Sequence, residues 1–122
     1  MHLIIAAILA AMIMAGAMRD ADAGHTREAE AVTHSTVSCT STTGQALATN
    51  AGRLAALFQN DGAEAIWIRI GEASVANEGI RLNALGGSYF MSHESVNMDV
   101  EAVNCITAAG TAVILVVEWD NN

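Results

Sequence analysis

From residue 52 onward, apolar side chains recur at every second position in short runs cut by glycine, asparagine and aspartate. That period belongs to a pleated strand with one buried face, since a helical stripe repeats every three to four residues. Residues 65–70 (AIWIRI) are the clearest case, with Ile66, Ile68 and Ile70 on one face and Trp67 and Arg69 on the other. Residues 53–59 (RLAALFQ) set Leu54, Ala56 and Phe58 against Arg53, Ala55, Leu57 and Gln59. Taken alone, that run also suits a helix, because Leu, Ala and Arg are good helix formers. The intervening Asn60-Asp61-Gly62 decides in favour of a strand: Asp and Gly accept the positive φ of a tight turn, and the two runs are expected to pair as a hairpin.

The same punctuation continues to the end of the chain. Asn77-Glu78-Gly79 precedes a strand over 80–84, and Gly86-Gly87 precedes one over 88–92. Residues 99–107 alternate Val100, Ala102, Asn104 and Ile106 against Glu101, Val103, Cys105 and Thr107. After Ala109-Gly110, residues 111–119 form the last strand, apolar on both faces from 112 to 117. A strand of that kind lies between two layers or turns its outer face to a partner. Six or seven short strands at this spacing predict a mainly β protein, a small antiparallel β-sandwich or jelly roll. No βαβ pattern and no solenoid repeat is visible.

The N-terminal part divides differently. Residues 3–18 hold no polar side chain and predict a hydrophobic helix about 24 Å long, short of the roughly 30 Å core of a bilayer. Its length suits the apolar region of a secretory signal, and Ala21-Asp22-Ala23 presents small residues at Ala21 and Ala23, so that cleavage would leave Gly24 first. Against this, the preceding residues contain His2 and no Lys or Arg. A retained anchoring or bundling helix, and a later start at Met12, Met14 or Met18, are the other readings. Eight of the eleven residues from 33 to 43 are Ser or Thr, and their alternation with Val37 and Cys39 favours a first strand over a linker. The expected organisation is a hydrophobic helix or signal over 1–23, a Ser/Thr-rich linker and first strand over 24–50, and a sandwich body over 51–122.

The composition narrows the function. Thirteen acids against five arginines, no lysine and a formal charge of -8 disfavour nucleic acid and anionic membranes, whose phosphates require clustered cations. Contact with a membrane would come only through residues 1–18, if they are retained. No enzyme, cofactor or metal site is expected. Among the four histidines only His93-Glu94 sets an imidazole beside a carboxylate, no loop has calcium-binding spacing, and Ser88 after Gly86-Gly87 lacks the following glycine of a nucleophile elbow. Cys39 and Cys105 lack the nearby histidines of a zinc site. In an exported protein they would bridge the first strand to the penultimate one, stabilising the fold by roughly 4 kcal/mol on the chain-entropy model; in a cytoplasmic one they would be free and buried.

Trp67 and Trp119 fall opposite the main apolar stripes of their strands. Together with Val113, Leu115 and Val117 they are candidate interface residues, unless both faces of these strands are covered within one domain.

The order of signals also carries a resemblance. An Arg with alternating apolar residues leads to an Asn turn (Arg53, Leu57, Asn60), and a strand then ends in glycine (Ile66, Ile68, Gly71). Next come a Gly-Ile-x-Leu strand (Gly79, Ile80, Leu82), a double glycine (Gly86, Gly87) and a Val-x-x-Val strand (Val100, Val103). Gly-Thr-Ala then opens a Val-rich strand closing on Glu (Gly110, Thr111, Ala112, Val116, Glu118). Over roughly its last 70 residues the chain resembles small β-sandwich structural proteins of tailed bacteriophages. The resemblance implies a non-enzymatic virion subunit, a capsid decoration, spike or fibre module, whose partners are further copies of itself or a capsid or filament lattice. The alternative is an exported β-sandwich binding domain, secreted, periplasmic or at the cell surface, or a pilin-like filament subunit.

Overall fold

The computed structural model describes residues 28–122. The predicted hydrophobic helix and the cleavage positions Ala21 and Ala23 lie outside the described residues. Those residues contain eight strands and no helix: β1 (Ala31–Cys39), β2 (Gly44–Leu47), β3 (Arg53–Asn60), β4 (Ile66–Ile70), β5 (Ile80–Leu82), β6 (Ser88–Ser92), β7 (Val103–Thr107) and β8 (Ala112–Asp120). They form two antiparallel four-stranded sheets, which we call A, in the order β1-β8-β3-β6, and B, in the order β2-β7-β4-β5.

Four of the pairings nest inside one another. Ala31 lies opposite Asp120, Gly44 opposite Cys105, Ala55 opposite Ser92 and Ile66 opposite Leu82. The chain therefore behaves as one long hairpin whose two arms, closing near residues 71–79, are rolled into two layers. Period-two alternation makes this work, because every strand sends one set of side chains into the space between the layers. Ala56, Phe58, Met91, Ile114 and Val116 of sheet A meet Ile66, Ile68, Leu82, Val103 and Cys105 of sheet B there, all almost fully removed from solvent.

One expected pairing is absent. Strands β3 and β4 do not form a hairpin: β3 lies between β8 and β6, while β4 lies between β7 and β5. The Asn60-Asp61-Gly62 turn carries the chain from one layer to the other. Asn60 is fully buried, its Nδ2 donating to the carbonyls of Glu64 (2.7 Å) and Leu82 (3.1 Å), while its Oδ1 accepts the Gly62 N–H at 2.9 Å. These bonds satisfy a buried amide at the crossing and tie both layers to it. A side chain at position 62 would put its Cβ 2.6 Å from that of Ala112, so glycine lets the crossing pass under the start of β8.

Two other local differences share a cause. Arg53, expected on the outer face of β3, is buried, because a register shift between Arg53 and Ala55 reverses the alternation at that end of the strand. Inside, its Nη1 donates to the carbonyls of Asp99 and Glu101, each at 2.9 Å. With those carbonyls engaged, the strand expected from residue 99 begins only at Val103. The short strand β2 (GQAL), which has no alternating stripe of its own, adds an eighth strand that periodicity does not reveal.

Candidate interaction face

Strand β8 lies inside sheet A, between β1 and β3, and sorts its side chains strictly between the two faces. Along β8, Ala112, Ile114, Val116, Glu118 and Asp120 point inward and are buried, while Val113, Leu115, Val117 and Trp119 point outward and stay half-exposed. Its neighbours in register extend the outward set. On the β3 side, Ala55 lies opposite Trp119 and Leu57 opposite Val117, and beyond them Phe90 of β6 lies opposite Leu57. On the β1 side, Val32 lies opposite Trp119, His34 opposite Val117 and Thr36 opposite Leu115.

The result is an apolar, uncharged band across sheet A. Val32 and Phe90 are 49% and 47% exposed, large values for residues of their kind on a sheet. Phe90 and Trp119 pack edge-to-face with ring centroids 6.2 Å apart and planes at 82°. That arrangement holds the Trp119 ring in place while leaving one side of it open. Between β1 and β3, a shallow groove runs over β8, lined by His34, Thr36, Leu57, Gln59, Leu115 and Val117.

The outer face of sheet B differs. Trp67 lies opposite Ile106 on one side and Arg81 on the other. The Arg81 guanidinium sits over its ring, 5.6 Å from the centroid, and Trp67 is only 8% exposed. The chain itself therefore covers Trp67, and of the two tryptophans singled out by alternation only Trp119 belongs to the open face. Nearby Arg69 pairs with Glu72 and, at 3.8 Å, with Glu78, which makes this surface charged.

The buried ionic cluster offers no open chemistry. Arg53 Nε donates to Glu118 Oε1 at 2.6 Å, Nη1 to the two loop carbonyls, and Nη2 to the Ala48 carbonyl at 2.5 Å. Such a pair is tolerated inside because hydrogen bonds replace the lost hydration of the guanidinium. Here it clamps the loops at residues 48–52 and 93–102 onto the sandwich, and its donors are engaged by the chain itself. Among the described residues no group of three or more His, Cys, Asp or Glu side chains is placed to hold a metal.

Cys39, at the end of edge strand β1, is joined to Cys105 in β7, with Cα atoms 5.7 Å apart. The bridge links the two sheets and is buried at both ends.

Alternation alone identified Val113, Leu115, Val117 and Trp119. Val32, Leu57 and Phe90 escaped it, because their membership depends on β1 and β3 flanking β8 and on β6 taking the edge of β3 where the expected hairpin would place β4. No protein-family model, characterised protein or solved structure matches the chain.

Proposed function

We propose that the chain is a non-enzymatic structural module of the virion decoration, spike or fibre kind, acting by self-association or by packing on a capsid or filament lattice. The observation that carries this reading is the uncharged outer face of sheet A, centred on Leu115, Val117, Trp119 and Phe90. Covering half-exposed apolar side chains that a rigid sheet already holds in place loses little further entropy, which makes such a face an efficient contact. The nested pairing of β1 with β8, β2 with β7, β3 with β6 and β4 with β5 is that of an eight-stranded jelly roll, an architecture used by viral capsid and lectin domains. That correspondence is one of architecture only, and fold by itself does not assign function.

The Cys39–Cys105 bridge favours a second reading, an exported cell-surface or periplasmic binding domain cut after Ala23. Disulfides persist in oxidising compartments and are rare in a cytoplasm. Intact mass and N-terminal sequencing of the protein from its natural source separate the two. Residues 1–18 retained in purified particles or filaments support the virion reading and exclude the cleaved form. A start at Gly24 supports export and excludes a cytoplasmic assembly route.

A further inference from the structure

The two sheets present four strand edges, and the chain closes three of them. Along β6, Asn97 takes the place of a neighbouring strand: its Oδ1 accepts the Ser92 N–H at 3.0 Å and its Nδ2 donates to the Phe90 carbonyl at 2.9 Å. Strand β5 is only three residues long, and its Leu82 carbonyl accepts from Asn60. Strand β2 has four residues and a register shift between Gln45 and Leu47. Short strands, bulges and side-chain caps are the usual means by which sheets avoid pairing with other chains.

Strand β1 has none of these protections. It runs for nine residues, pairs with β8 from Ala31 to Cys39 without a register shift, and has no neighbouring strand on its other side among the described residues. Proline, lysine and inward-pointing charges are the other common guards. Residues 31–43 contain no Pro, Lys, Arg, Asp or Glu. In a chain of formal charge -8 this also decides where two copies can meet, because like charges across a contact oppose it. Most described acids lie in the connections between strands, as at Asp61, Glu64, Glu72, Glu78, Glu94 and Glu101, whereas β1 and the outer face of sheet A carry none.

We propose that β1 pairs antiparallel with β1 of a second copy about a twofold axis near Ser35, joining the two A sheets into one of eight strands. This rests on the reading of the chain as an associating module, and adds the partner and the mode of contact. A twofold contact uses the same segment on both copies, as an antiparallel strand pair does. His34 of one copy then lies opposite Thr36 of the other, and the uncharged outer faces of the two A sheets adjoin.

Sedimentation equilibrium of the full chain tests the pairing, with His34→Glu combined with Thr36→Glu in one variant and His34→Arg combined with Thr36→Arg in another. Both positions are exposed, so the folded monomer tolerates either change. The wild type is expected to be a dimer at about 100 μM, and each variant alone to dissociate with its Kd raised at least about 100-fold. An equimolar mixture of the two variants restores the dimer, which misfolding would not allow. A dimer unchanged in the glutamate variant overturns the β1 pairing and leaves self-association to another surface. A wild type that is monomeric at that concentration overturns self-association itself.

Discussion

Trp67 and Trp119 occupy similar positions in sequence terms: each stands on the outward side of a strand whose inward side carries an apolar stripe, Ile66 to Ile70 in β4 and Ala112 to Val116 in β8. In the folded protein they differ. Trp67 is covered by Ile106 and by the guanidinium of Arg81, whereas Trp119 leans on Phe90 and keeps part of its ring in solvent. The difference comes from the neighbours in register. Sheet B has a long cationic side chain beside its tryptophan, able to lie across the ring with its charge still in water. Around Trp119 sheet A has Val32 and Ala55, too small to cover the ring. The covered tryptophan stabilises its own chain, while the one on the uncharged face keeps surface open for the proposed contact.

Among substitutions, the largest effect should come from the link between the two sheets. Replacing both Cys39 and Cys105 with Ala opens a loop spanning a sequence separation of 66 residues and should lower stability by about 4 kcal/mol in denaturant titration. An effect below about 1 kcal/mol would mean that the sandwich holds its layers together without the bridge. Next, Trp67→Ala should cost about 3 kcal/mol, as expected for a buried aromatic, with no change in association. Trp119→Ala should cost only about 1 kcal/mol, the scale of an edge-to-face pair and a half-exposed ring. Its main effect should instead be on binding to a lattice or to further copies, read by light scattering or co-sedimentation. Equal stability losses for the two tryptophans would erase the distinction between the faces.

The division between legible and hidden features follows the range of the interactions. Strand β6 was readable to the residue, and β4 and β8 to within one, because each is a run of alternating residues bounded by its own turn signals. Arg53 was misplaced because a single-residue shift of register, set by the partner strand, reverses which way a side chain points. The candidate site was half legible for a similar reason. Its β8 residues announce themselves by being apolar on both faces, whereas Phe90 and Leu57 join them only because β3 and β6 lie on that side of β8.

The sequence by itself determined that the chain is mainly β, which residues of most strands face inward, and that residues 31–43 carry no Asp, Glu, Lys or Arg. These are local properties, written in period-two alternation and in the positions of charge. Only the tertiary structure decided that Asn60-Asp61-Gly62 crosses between layers, that Arg81 closes over Trp67, and that among the described residues β1 is the one strand edge left long and unguarded. Strand pairing joins residues far apart in the chain, and alternation says which face a residue takes without saying which strand lies beside it.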